Sequence, residues 1–279
     1  MNLFIKKNLI FLILLPFLIY LLSVFLVYSN VYKKIATNSL IYQALDKSRK
    51  KQIAKKIILG DSVGEQLFSC YSESDTLLSL ATNASINMVG QYLLLNNYLN
   101  AGNKIEQVYL IYNPLGFKNN MEGHITYHFF LKPFYRDEYK PLFSKTVLTQ
   151  LNKIPFISIC QNPLVLSSDW VPPKRNYPIN ETNDTVFLSP ISIEYLHRIK
   201  KLSIIHNFKF KIISPPVIIS NKQKINKLDK QSINSSNLTE EFKDYFEQII
   251  YLNDSCFMDE FHLNNPKVYS ESFKNKFIL

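Results

Sequence analysis

Two short clusters in this chain carry residue types that can do chemistry together. Gly60-Asp61-Ser62 follows the apolar run Lys56-Ile57-Ile58-Leu59, and Asp259-Glu260-Phe261-His262 lies close to the C-terminus. A serine hydroxyl is a weak nucleophile until a base takes its proton. Imidazole is the side chain suited to that task near neutral pH, and a carboxylate on its second nitrogen fixes the tautomer. Asp259 and His262 are three residues apart, so one turn can project both to the same side. Read singly, each cluster has a plainer meaning. Asp61 or Ser62 can simply cap a helix, and a surface turn with a solvated histidine would look like the second cluster.

The elements around the clusters decide whether they can meet. Residues 56–59 read as a short buried strand ending at Gly60, and 63–70 as the start of a helix. A second apolar run covers 77–81. Residues 86–99 have helical character, with Ala101-Gly102-Asn103 as the stop. Residues 107–112 form a third strand pattern. Strand, helix, strand, helix, strand predicts a parallel sheet covered on both faces. In such a sheet, ligands bind beyond the carboxyl ends of the strands. Ser62 falls at one of those ends, where its N–H, at a helix start, can hold a developing oxyanion. Residues 192–207 then read as helix, 210–214 as strand, 221–237 as loop and 239–251 as an amphipathic helix. Residues 115–190, rich in proline and aromatics, read as an insertion forming a lid or substrate surface. Tyr127, Phe129, Phe130, Phe134, Tyr135 and Trp170 in it would either stack on sugar rings or fill a core.

A G-D-S after the first strand and a D-x-x-H near the C-terminus, on an alternating strand–helix pattern, resemble the GDSL/SGNH hydrolase family over roughly residues 53–275. The resemblance implies a flavodoxin-like three-layer α/β/α parallel sheet that needs no metal or other cofactor. It implies Ser62 as nucleophile, His262 as general base and Asp259 as its orienting partner. Family oxyanion donors come from a glycine after the second strand and an asparagine after the third. Asn113 stands at the second of these positions, in Tyr112-Asn113-Pro114 rather than the family's Gly-x-Asn-Asp, and a turn residue before proline reads the same way. At the first position stand Thr82-Asn83-Ala84-Ser85, with no glycine before Gly90. A backbone N–H of Ala84 or Ser85, beside that of Ser62, would have to serve. Asn83 and Asp61 are candidates for substrate contact, although each is equally suited to capping.

Residues 9–28 form an unbroken lipid-compatible run preceded by Lys6 and Lys7. Twenty residues at about 1.5 Å each match the thickness of the bilayer's hydrocarbon core, and no small-residue cleavage site follows. The expected organisation is an N-terminal membrane anchor (1–30), a charged helical linker (31–52) and an α/β domain (53–279). The flank after the anchor is at least as basic as the tail before it, which opposes an outside domain. Long domains nevertheless translocate largely regardless of charge, and the expectation is a single-pass protein with its domain outside the cytoplasmic membrane. With the anchor, the chain resembles the divergent members of the family that add or remove acyl groups on bacterial surface glycans. That resemblance implies a serine esterase or O-acyltransferase acting on acyl, chiefly acetyl, esters of cell-surface polysaccharide. Its partners would be an acylated carbohydrate or acyl donor, the bilayer, and a membrane acyltransferase. The alternative is a catalytically degenerate relative that binds glycan or partner proteins.

The net charge of +10 is partly local, with Lys47, Arg49, Lys50, Lys51, Lys55 and Lys56 close together. That suits a solvated juxtamembrane stretch or lipid headgroups. No zinc-finger spacing or RNA-binding aromatic signature accompanies it, so nucleic acid is not an expected partner. Cys70, Cys160 and Cys256 form no C-x-x-C pair and read as free thiols or one disulfide. His124 and His128 have i, i+4 spacing, but their neighbours suggest a strand, and no metal site is expected. His197 and His206 read as ordinary helix or loop residues.

Overall fold

The computed structural model describes residues 3–29, 31–69, 76–121, 124–172 and 185–278. Helix α1 (Leu3–Tyr28) leads, and within it Asn8–Tyr28 is long and apolar enough to cross a membrane. A single turn, Tyr32–Ile35, precedes α2 (Ser39–Ser48). The segment read as a linker contributes to the core, because α2 buries Ile41, Ala44 and Leu45 in the main apolar cluster. Then come β1 (Lys56–Gly60), α3 (Ser62–Leu67), β2 (Leu77–Ser79), α4 (Asn87–Asn100) and β3 (Gln107–Ile111). The insertion contains α5 (Lys145–Leu151) and the short α6 (Pro163–Leu166). The regular pattern resumes with α7 (Pro190–His206), β4 (Lys209–Ile213), the short β5 (Val217–Ile218) and β6 (Tyr251–Leu252), and α8 (Pro266–Phe277).

The main sheet is four-stranded and parallel, in the order β2-β1-β3-β4, with Gly60 paired to Ile111 and Ile111 to Ile213 at the carboxyl edge. β5 and β6 form a separate parallel pair. The pleat of β1 sends alternate side chains to opposite faces. Ile57 and Leu59 join α2, α4 and α7 in one apolar cluster, and Ile58 joins Val63, Leu67, Phe273 and Phe277 of α3 and α8 in another. The sheet is therefore covered by helices on both faces, and its central strands are apolar on both sides over Ile57–Leu59 and Val108–Ile111, as a buried parallel pair requires.

Three local expectations differ from the structure. Residues 239–248 form successive turns rather than a helix. Asn237 and Asp244 adopt left-handed φ values of 53° and 60°, and the Ile212 N–H donates to the Glu241 carbonyl, laying the segment along β4. Its apolar positions Phe242 and Ile249 are still buried, and Tyr245 with them. The stretch 221–237 contains two short helical turns, Lys222–Asn226 and Gln231–Ser235, that bury Ile225 and Ile233. His124 and His128 lie on helical backbone that includes a π-helical stretch, Tyr127–Leu131, and not on a strand. His128 is buried, and among the described residues neither of its ring nitrogens has a hydrogen-bond partner and no group of metal-binding side chains occurs. Cys160 and Cys256 are free thiols; Cys70 lies outside the described residues.

Candidate active site

β1 ends where it approaches β3 most closely. A Cβ on Gly60 would sit 2.2 Å from the Ile111 carbonyl oxygen, so only glycine allows the strands to pair through this point. The buried Gln91 of α4 clasps the same residue, accepting from the Gly60 N–H (3.1 Å) and donating to its carbonyl (2.8 Å). The chain then turns into α3, and Asp61 makes that turn. One carboxylate oxygen accepts from the N–H groups of Val63 (3.0 Å) and Gly64 (3.1 Å), an N-cap. The other accepts from the Asn113 N–H at 2.6 Å, fastening the loop after β3 to the loop after β1. Burial raises the Asp61 carboxyl to about 6, against the lowering effect of its three N–H donors. Ser62 is thus the first residue of α3, half-buried, and its N–H has no partner among the described residues.

The partner loop is built by another aspartate. One Asp259 oxygen accepts from the N–H groups of Phe261 (2.8 Å) and His262 (2.7 Å), closing an Asx turn. The other oxygen meets His262 Nδ1 at 2.7 Å. Burial alone would raise the Asp259 carboxyl; the hydrogen bonds from the His262 N–H, its ring and the Phe261 N–H outweigh it and hold the group below its ordinary value. A carboxylate can only accept, so Nδ1 carries the proton and Nε2 is left with a lone pair. That lone pair faces Ser62 Oγ at 2.8 Å. The loop is fixed to α3 by Gln66, one helical turn after Ser62, which accepts from the Leu263 N–H at 3.0 Å. Residues 200 positions apart are therefore held in register by a third side chain.

A cleft of about 220 Å³ opens over this pair, lined by Asn83, Ala84, Asn113, Leu115, Gly116 and Phe261 among others. Asn113 Oδ1 accepts from the Leu115 N–H (3.0 Å) and Asn83 Oδ1 from the Ser85 N–H (2.8 Å). Each amide oxygen is spent on its own loop, so each side chain has only its NH₂ left to offer. The Ala84 loop is braced from below by Tyr112, whose hydroxyl donates to the Ala84 carbonyl (3.1 Å). Tyr245, buried under the same loops, donates to the Tyr112 carbonyl (2.6 Å). Ser62 and Ala84 have N–H groups without partners among the described residues. Four donor groups thus border the cleft: the Ser62 and Ala84 N–H groups and the Asn83 and Asn113 amides.

The structure brings together Ser62, His262 and Asp259, and sets Asn83, Ala84 and Asn113 around them. Ser85 is the exception: its N–H is consumed by Asn83 and its side chain is buried outside the cleft. Asp61 borders the cleft, but its carboxylate accepts three hydrogen bonds from backbone N–H groups, so it holds loops rather than offering a free group to a ligand. None of Tyr127, Phe129, Phe130, Phe134, Tyr135 and Trp170 lines the cleft; Tyr127, Phe130 and Phe134 are fully buried core. Sequence reasoning missed the two glutamines. Gln66 at i+4 from Ser62 was a findable signal, since it shares that helix face. Gln91 had none, because only the sheet brings α4 beneath Gly60. Searches against protein-family models and against curated proteins returned no match for this chain.

Proposed function

We propose that the protein is a membrane-anchored serine hydrolase or acyltransferase of the GDSL/SGNH type, with a flavodoxin-like domain outside the cytoplasmic membrane. The reading rests above all on one observation: Ser62 Oγ, His262 Nε2 and Asp259 are joined by hydrogen bonds of 2.8 Å and 2.7 Å in the order that base-assisted nucleophilic attack needs.

In this mechanism His262 Nε2 takes the Ser62 hydroxyl proton as Oγ bonds to the acyl carbonyl carbon. The resulting oxyanion accepts from the Ser62 and Ala84 N–H groups and the Asn113 NH₂. The bond to the leaving alkoxide then breaks, and His262 returns the proton to that oxygen, leaving an acyl-enzyme on Ser62. Water or a sugar hydroxyl attacks next, with His262 again taking and returning a proton. The acceptor decides between esterase and transferase. The small cleft suits a short acyl group such as acetyl. The anchor suits acyl esters of cell-surface polysaccharide, with a membrane acyltransferase as donor.

The test is acetate release from aryl acetates and acetylated sugars by the full chain in detergent, beside Ser62→Ala. Activity is expected in the wild type and not in the variant. Equal rates in both would remove Ser62 from the mechanism.

A further inference from the structure

A second cavity, of about 330 Å³, lies at the foot of α1, lined by Val27, Tyr28, Tyr32, Tyr42, Arg49 and Arg136 among others. We propose that it binds the phosphate of an anionic phospholipid headgroup. The proposal rests on α1 being a retained membrane span, as read above.

Position is the first argument. The apolar stretch Asn8–Tyr28 ends in the wall of this cavity. Its 21 residues rise by about 32 Å, the thickness of the hydrocarbon core, so its last turn reaches the headgroup layer. Val27, Leu45 and Pro133 give the cavity apolar walls for the first methylenes of a lipid.

Charge is the second argument. Three cations and two carboxylates line the cavity. Lys33 is paired with Asp46 at 3.1 Å, and Arg49 is paired with Glu138. Among the described residues Arg136 has no carboxylate partner; its guanidinium donates to the Lys132 carbonyl, at 3.3 Å, and stands close to the Tyr42 hydroxyl. One cation is therefore left to meet an anion, and guanidinium geometry matches phosphate oxygens.

An unmet donor is the third. Tyr42 is only 7% exposed; its hydroxyl and the neighbouring Asn38 Oδ1 are both buried without a well-formed hydrogen bond, and Tyr32 and Arg136 stand close enough to the hydroxyl for weak contacts only. Buried polar groups rarely stay unpaired in a native structure. A phosphate oxygen held by Arg136 would supply the acceptor. Burial pushes the Tyr42 hydroxyl upward from its ordinary pKa, so it remains a neutral donor. A phosphate ester offers Arg136 charged oxygens; a neutral glycerolipid offers only ester carbonyls and a hydroxyl, which leave the guanidinium charge without a counter-ion.

The experiment is native mass spectrometry of the full chain in mild detergent, titrated with dioleoyl phosphatidylglycerol or with dioleoylglycerol, which lacks the phosphate. Phosphatidylglycerol should be retained and dioleoylglycerol not. Arg136→Gln should lower the bound fraction by about ten-fold, the weight of one charge-assisted hydrogen bond. Tyr42→Phe, which keeps the ring and its packing, should lower it by about three-fold. Equal retention of both lipids, or undiminished phosphatidylglycerol binding by Arg136→Gln, would overturn the proposal. So would inorganic phosphate that occupies the site and displaces lipid at equal concentration, which would mark a free-phosphate site. Intact mass and resistance to alkaline extraction report on the anchor separately. A chain cleaved near Tyr28 overturns the anchor and the lipid site together, whereas an intact, extraction-resistant chain that ignores phosphatidylglycerol overturns the site alone.

Discussion

Two aspartates at the site do different work because their surroundings differ. Asp259 is more than half exposed at its side chain and holds the ring of His262 in one tautomer. Asp259→Asn would offer an amide NH₂ where an acceptor is needed, and kcat should fall by about 10²–10⁴-fold in an aryl acetate assay. Asp61 is buried and raised to about 6 against an ordinary value of 3.8. Between those values the folded chain holds a proton that the unfolded chain has released. The stability this supplies is full below about pH 4 and lost as pH rises through about 6, a difference of about 2–3 kcal/mol. Thermal melting of wild type and Asp61→Asn at pH 4 and pH 7 checks it, since the variant should lack that part of the slope. Gln66 acts through the His262 loop, and Gln66→Ala should lower kcat about ten-fold with little change in KM. Gln66→Glu keeps an acceptor for the Leu263 N–H and should recover part of the loss.

At the scale of elements, the close approach of β1 to β3 decides where Ser62 stands. Gly60→Ala would drive a methyl group into the Ile111 carbonyl, which is backbone and cannot rotate away. The variant should lose about 2–3 kcal/mol, read as a lowered melting temperature, with a displaced Ser62 and lost activity. The regular elements were legible in sequence because their signals are local. Lys56–Gly60, Gln107–Ile111 and Lys209–Ile213 each lie within two residues of the strand their apolar run predicts. Residues 239–248 were not legible, because helical spacing of Phe242, Phe246 and Ile249 describes burial on one side and nothing more. A chain of turns pinned to β4 by the Glu241 carbonyl satisfies the same burial.

On the scale of the whole molecule, the segment after α1 belongs to the folded domain. Ile41 and Leu45 are 1% and 5% exposed against the main core. A fragment beginning at residue 31 should therefore melt cooperatively. One beginning at residue 53 forfeits about 3–6 kcal/mol of apolar burial and should be unfolded or markedly less stable by circular dichroism. The charged character of 31–52 concealed this, because its lysines mark the solvent face while every third or fourth residue faces inward.

The division between chain and fold runs along the same line. Apolar period, strand–helix alternation, the membrane-length helix and the two polar clusters are properties of neighbouring residues, and they are readable without coordinates. That Ser62 and His262 stand 2.8 Å apart is not such a property. It depends on sheet order, on Gly60 admitting β3, on Asp61 bridging to Asn113 and on Gln66 holding Leu263. The fate of the donors depends on the fold in the same way. Ser85 and Ala84 are adjacent, and a hydrogen bond from one of them to Asn83 decides which N–H faces the cleft. Sequence spacing limits what can meet within one turn; contacts between distant segments form only when burial of the sheet's two faces brings them together.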